Sequence, residues 1–231
     1  MPCFLSLFIA FFLSVNTSSN VPTKQSGWIW LFNGSNLNEW VSAKTGQTPQ
    51  QGWTIAGKTL IANPGGDKSK RGGDLVSRRK FASFELQFEF KLGPGANSGL
   101  KYFVKKYPDG AWLGCEYQMI DDVGNKDIAA DQDDKRRTAG LYELFAPSVR
   151  KLKPIGEWNE GRVLVKGNHV EHWLNGTKVV EYERGDQRFL AAKAQSKFKA
   201  IEDFGTMKEG HLLLQDHGDE AAFRNIRIRE L

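Results

Sequence analysis

The sequence predicts an all-β fold built from two packed antiparallel sheets, on three observations. Phe84 to Leu92 alternates strictly, with Phe84, Leu86, Phe88, Phe90 and Leu92 on one face and polar residues on the other, the period of a half-buried strand. His169–Leu174 and Thr177–Tyr182 are two strand-like runs separated by Asn175-Gly176, a two-residue turn that accepts the positive φ values of a tight hairpin. Helical periodicity is nearly absent from the 231 residues, and many short strands at regular spacing read as a sandwich.

In chain order, residues 1–14 form an uncharged apolar run followed by a small polar tail. Its length suits the apolar core of a signal peptide and is too short for a comfortable membrane span. The division is therefore a signal peptide over residues 1–20 and a single domain over residues 21–231. The protein is expected to be exported, periplasmic or extracellular, with no membrane attachment once the leader is removed. Strands are expected at Trp28–Phe32, Trp53–Ala56, Thr59–Ala62, Asp74–Ser77, Phe84–Leu92 and Leu100–Val104. The run from Gly114 is strand-like, and Arg162–Lys166, the Asn175-Gly176 hairpin, His211–Asp216 and Ala222–Arg229 complete the set. One short surface helix is expected at Ala191–Lys199, where good helix formers carry a thin apolar stripe. Val123 to Arg137, rich in Asp, Asn and Lys, reads as a long loop, a length that is often functional.

Lys and Arg number 32 against 27 Asp and Glu, and the basic residues are spread among acidic ones with no long basic block. A mildly cationic surface without a basic stripe or reader motif argues against nucleic acid as a partner. Of the two cysteines, Cys3 falls in the leader and leaves Cys115 alone. A single thiol forms no internal disulfide, and no Cys-His arrangement surrounds it, so Cys115 reads as a packed residue. Walker loop, dinucleotide fingerprint and Gly-x-Ser-x-Gly elbow are absent, against NTPase, dehydrogenase and esterase readings.

Chemistry concentrates around Gly114-Cys115-Glu116-Tyr117-Gln118, where a strand-like run carries a carboxylate and an amide two residues apart. Residues i and i+2 share a face, so Glu116 and Gln118 stand side by side. An acid beside an amide suits a sugar, although an isolated Glu-x-Gln also reads as a solvated sheet face. His217 follows Asp216 and precedes Gly218; it reads as a general base or as a turn histidine at a strand end. Lys101, in an otherwise apolar strand, could stabilise a developing oxyanion or discourage edge pairing. His169 and His172 lie on opposite strand faces, His211 and His217 are too far apart to chelate together, and Asp131-Gln132-Asp133-Asp134 lacks the Gly and terminal Glu of a calcium loop. No metal ligands are assigned. The Glu-x-Asp-x-x-Glu motif of sandwich β-glucanases is missing, and Glu116 and Asp121 have opposite strand parity, which disfavours retaining hydrolysis by a carboxylate pair.

Nine stretches in order resemble the 3-keto-disaccharide hydrolase family. They include Trp30-Leu31-Phe32-Asn33-Gly34, Gly73-Asp74-Leu75, Asn97-Ser98-Gly99, Gly114-Cys115-Glu116-Tyr117-Gln118, Gly156-Glu157-Trp158-Asn159, Gln215-Asp216-His217-Gly218 and Phe223-Arg224-Asn225-Ile226. The resemblance runs from about Trp28 to Leu231 and implies a concanavalin-A-like (lectin/glucanase) jelly roll with a concave sugar-binding sheet. It further implies cleavage of glycosides already oxidised at C3. There the ketone acidifies the C2 hydrogen, a base removes it, the aglycone leaves C1 by elimination and water adds afterwards. Glu116 and His217 are the base candidates and Lys101 the enolate stabiliser; Asn97, Gln118, Asp121, Arg137 and Gln215 are candidates for substrate contacts. No cofactor is assigned, and a divalent metal acting as a Lewis acid is left open. Many members carry an aromatic where this chain has Lys101 and an Arg where it has Phe103, which points to a subgroup with a different substrate or without the activity. A non-catalytic carbohydrate-binding domain and a conventional glycoside hydrolase are the alternatives.

Overall fold

A computed structural model describes residues 27–231; the expected signal peptide lies outside the described residues. The strands in chain order are β1 (Ile29–Phe32), β2 (Trp40–Ser42), β3 (Trp53–Ala56), β4 (Thr59–Ala62), β5 (Leu75–Phe81), β6 (Phe84–Leu92), β7 (Asn97–Lys106), β8 (Trp112–Ile120), β9 (Asn159–Lys166), β10 (His169–Leu174), β11 (Thr177–Glu183), β12 (Gly210–Leu214) and β13 (Ala221–Glu230), with one α-helix, α1 (Gln187–Gln195). They form two antiparallel sheets. The larger runs β11-β10-β9-β6-β13-β4-β3, with β1 beside the other end of β13; the smaller runs β2-β5-β12-β7-β8. No described helix is long and apolar enough to cross a membrane.

Alternation explains the larger sheet. Phe84, Leu86, Phe88, Phe90 and Leu92 are all buried, while Gln87, Glu89 and Lys91 of the opposite face are partly exposed. The inward faces meet in one apolar core in which Phe88 and Phe90 both pack edge-on against Tyr117 of the smaller sheet. Polar atoms meet across the core as well: the Tyr102 hydroxyl on β7 lies 2.7 Å from both His172 Nε2 on β10 and the Tyr182 hydroxyl on β11. His172 Nδ1 lies 2.9 Å from the Ala139 carbonyl, so both ring nitrogens are satisfied. Burial lowers its pKa to about 4, and it is neutral.

Strand β7 is not the regular ribbon its sequence suggests. Its pairing with β8 shifts register between Tyr102 and Lys105, and Phe103 has φ 52°, so a β-bulge turns Tyr102 and Phe103 both into the core. The neighbouring strands accommodate it with glycines. A Cβ on Gly114 of β8 would sit 2.6 Å from the Tyr102 carbonyl oxygen, and one on Gly210 of β12 would sit 2.4 Å from the Phe103 Cα.

Two local expectations shift. The helix begins at Gln187, four residues before the expected start, because the Asp186 carboxylate accepts the Phe189 N–H (2.7 Å) and caps the first turn. It ends at Gln195, where Ser196 turns extended. Strand β2, three residues long, has no counterpart among the expected elements.

Candidate functional site

Lys101 on β7 and Glu116 on β8 are direct cross-strand partners, on the face opposite the core-facing Leu100, Tyr102, Cys115 and Tyr117. Their side chains meet at 3.7 Å (Nζ to Oε2), almost out of solvent. Gln215, just beyond β12, is placed by its backbone: its N–H donates to the Gly99 carbonyl (2.9 Å), and its carbonyl accepts the Ser98 hydroxyl (2.8 Å). With the amide turned to suit its neighbours, Gln215 donates to Glu116 Oε1 (2.9 Å) and accepts from Lys101 Nζ (2.9 Å) and His217 Nε2 (3.2 Å). This orientation puts the His217 proton on Nε2. Gly99 makes the arrangement fit, since a Cβ there would lie 2.6 Å from Glu116 Oε1 and 2.8 Å from the Gln215 amide.

The loop that carries His217 is held by Asp216. Its buried carboxylate accepts the N–H groups of Gly72 (2.9 Å), Gly73 (2.8 Å) and Gly218 (2.8 Å), while Asp219 accepts the Asn97 N–H at 3.1 Å. His217 therefore stands exposed at the mouth of a cavity whose depth is formed by Glu116, Gln118 and Lys101. That cavity is about 140 Å³ and adjoins a wider one of about 450 Å³, the two sharing Asn97, Asp127 and His217. The Asn97 Oδ1 is buried without a hydrogen-bond partner, an acceptor in the cavity wall suited to a ligand hydroxyl.

The two candidate bases are displaced in opposite directions. Burial raises the Glu116 pKa, with the Lys101 ammonium opposing. Desolvation of the ring by the surrounding protein lowers that of His217, with Asp74 opposing, which favours the neutral imidazole. An acid and a base pushed apart by their surroundings are suited to giving and taking a proton in one turnover.

Of the residues expected at the site, Glu116, His217, Lys101, Asn97, Gln118 and Gln215 line this cavity. Asp121 and Arg137 do not. Asp121 lies where β8 ends, its buried carboxylate filled by the N–H groups of Gly95, Val123 and Gly124 at 2.8 to 3.0 Å. Although burial works the other way, these donors hold its pKa below the usual carboxylate range. Arg137 turns inside its own loop, donating to the Asp122 carbonyl and, at 3.0 Å, to Asp134. The long loop reaches the rim through Asp127 instead. Tyr142 and Lys197 also line the cavity, the ammonium donating to the phenol at 3.2 Å; burial, then Glu116, push the Tyr142 pKa up to about 12. Tyr142 lies in no periodic segment, and Lys197, inside the expected helix, falls in the turn after it ends at Gln195, so no sequence signal marked either. Cys115 is buried on the core face, and burial pushes its thiol up to about 11.

Among the described residues, the side chains close enough to share a metal ion are His169, Glu171 and Glu181, away from the cavity. Lys178 Nζ already stands 2.6 Å from Glu181 and 3.4 Å from Glu171, an ammonium where a cation would sit. At the cavity, the positive charge beside Glu116 is Lys101.

Residues 27–229 match the model of the 3-keto-alpha-glucoside-1,2-lyase-like domain. The chain is 32% identical over 238 residues to the 3-keto-disaccharide hydrolase of Bacteroides thetaiotaomicron, covering 93% of this chain and 82% of that protein. Among solved structures it resembles a "putative glycosyl hydrolase" from Parabacteroides distasonis at 30% identity and a TM-score of 0.78, over 89% of this chain and 94% of the other. A Bacillus subtilis protein of unknown function with a galectin-like fold matches at 11% identity and a TM-score of 0.51, over 89% and 97% of the two chains, a likeness of fold alone.

Proposed function

Because the chain belongs to the 3-keto-alpha-glucoside-1,2-lyase-like family, we propose that it is a carbohydrate hydrolase that cleaves 3-keto-glycosides or 3-keto-disaccharides by elimination followed by hydration. The observation that carries this reading is the convergence of Lys101, Glu116, Gln215 and His217 on one cavity. A base, an acid and a fixed positive charge are what elimination beside a ketone requires.

The neutral His217 takes the C2 hydrogen as a proton through Nδ1, since Nε2 donates to Gln215. The C–H electron pair moves into a C2–C3 double bond and the negative charge gathers on the C3 oxygen, where the Lys101 ammonium stabilises it. As the enolate reverts to a ketone, the C1–O bond breaks. Glu116, inclined by burial to hold a proton, gives that proton to the departing aglycone oxygen. Water then adds at C1 of the enone and gives its proton to Glu116, which restores the acid; the proton on His217, exchanged with solvent at the cavity mouth, is delivered to C2. Gln215 binds Glu116, Lys101 and His217 together and so fixes their relative positions. The sugar hydroxyls find the Asn97 Oδ1 and the Gln118 amide in the wall.

The test offers 3-keto-glucosides and their unoxidised parents in deuterated water. Release from the keto substrates alone, with deuterium at C2 of the sugar product, is expected. His217→Asn should lose aglycone release and C2 exchange together, by about 10²–10⁴-fold. Glu116→Gln should lose release by a similar factor while C2 exchange continues. Equal cleavage of oxidised and unoxidised substrates without deuterium at C2 would refute the elimination and favour conventional hydrolysis. Sugar binding with no cleavage of either would leave a carbohydrate-binding domain.

A further inference from the structure

The outward face of the larger sheet carries a second groove, on the far side of the sandwich from the catalytic cavity, with a volume of about 580 Å³. The strand registers explain its shape. Trp30 on β1 pairs with Arg227 on β13, Arg227 with Gln87 on β6, Gln87 with Arg162 on β9, and Arg162 with Trp173 on β10. Five side chains thus form one straight row across five strands, an indole at each end and polar groups between. At about 4.8 Å per strand the row spans about 19 Å.

The row is held rigid. Arg162 lies over the Trp173 ring (4.8 Å) with its Nε on Glu85 (2.7 Å). Arg227 lies over Trp28 (4.5 Å) and Trp30 (5.8 Å) and donates through Nε and Nη2 to the Gln87 carbonyl (3.1 and 2.8 Å). The Trp173 indole N–H donates to Glu171 at 2.7 Å. Trp30 nevertheless remains 46% exposed. Such rings present flat apolar surface at little entropic cost on binding.

We propose that this groove is a second carbohydrate-binding site, taking a neutral oligosaccharide laid across the strands. A pyranose has an apolar C–H face and a hydroxyl rim. The end indoles match the first, and the guanidinium groups together with Asn225, Glu89 and Glu160, which also line the groove, match the second. Charge favours a neutral chain, because the arginines of this face are already engaged: Arg162 and Arg229 hold Glu85, Arg224 holds Glu89, and Glu160 stands in the lining with Arg227, itself bound to Gln87. A polyanion would want the cations unopposed. The spacing of the indoles favours an oligosaccharide over a single sugar, and the volume is that of an ordinary ligand groove. The site would hold the protein on a glycan while the opposite sheet works on small glycosides.

Affinity electrophoresis tests this without reference to catalysis, in native gels cast with dextran, pullulan, laminarin or hydroxyethyl cellulose, and with heparin as the anionic comparison. Retardation of the wild type by at least one neutral polysaccharide is expected. Trp30→Ala and Trp173→Phe should weaken it by about tenfold or more while leaving the melting temperature and turnover of a small 3-keto-glucoside near wild type. Glu116→Gln should be retarded like the wild type. No retardation in any neutral gel, retardation by heparin alone, retardation indifferent to Trp30 and Trp173, or retardation abolished by Glu116→Gln would each overturn the proposal. If the small-substrate activity fails altogether, the electrophoretic result still decides this one.

Discussion

Replacing Gly99 by alanine adds one methyl group at the centre of the catalytic arrangement. The φ of Gly99 lies outside the left-handed region, so the backbone accepts alanine without strain. The added Cβ, however, would stand 2.6 Å from Glu116 Oε1 and 2.8 Å from the Gln215 amide. Ordinary contact begins near 3.4 Å, so the carboxylate must retreat by about 0.8 Å or Gln215 must release it. A displacement approaching 1 Å at a reacting group costs about 10²-fold in rate, and the same movement disturbs the 3.7 Å Lys101–Glu116 pair. Removing a glycine also lowers the entropy of the unfolded chain, worth about 0.4–1 kcal/mol to stability, which offsets part of the crowding. Gly99→Ala should therefore lose about 10²-fold in kcat/KM on a 3-keto-glucoside while its melting temperature changes by only a few degrees. Steady-state kinetics beside a thermal melt measure both. Activity within a few fold of wild type would refute the reasoning, because Glu116 could then sit elsewhere without consequence.

Stability should also fall between pH 6.5 and 4. The buried His172 must stay neutral in the folded state, with a pKa of about 4, so the unfolded chain binds the extra proton throughout that window and the loss amounts to about 3 kcal/mol by pH 4. Urea midpoints for the wild type and His172→Phe should diverge in slope across that range, and equal slopes would exclude His172 as the cause. Asp121→Ala should cost about 3 kcal/mol, because it strips a charged acceptor from the N–H groups of Gly95, Val123 and Gly124. Denaturant unfolding checks this, and a variant of normal stability with raised KM would restore Asp121 as a substrate contact.

The sequence reveals most where period and burial coincide. In β6 every second residue is apolar and inward, and Asn175-Gly176 closes a hairpin between strands of that same sheet. The Glu116–Gln118 pairing was legible for the same reason, since strand parity carries both to one face. Parity says nothing beyond the strand end, and Asp121 and Arg137 lie there, where backbone N–H groups and loop carboxylates compete for them. Asp127, Tyr142 and Lys197 reach the cavity from a loop and from the turn after α1, positions set by tertiary packing. The helix start was readable in retrospect, because Asp186 precedes Phe189 at capping distance. A strand as short as β2 shows no alternation to count.

The bulge at Phe103 bears on how the molecule reaches its native state. Sheets assembled from distant strands fold slowly and risk pairing out of register, and a shift of one residue would turn Lys101 into the core and Tyr102 outward. The extra residue of β7 finds room only between Gly114 and Gly210, so a slipped pairing would press it against side chains on both sides. One peptide out of line thus acts as a key during assembly, admitting the single alignment in which Lys101 faces Glu116.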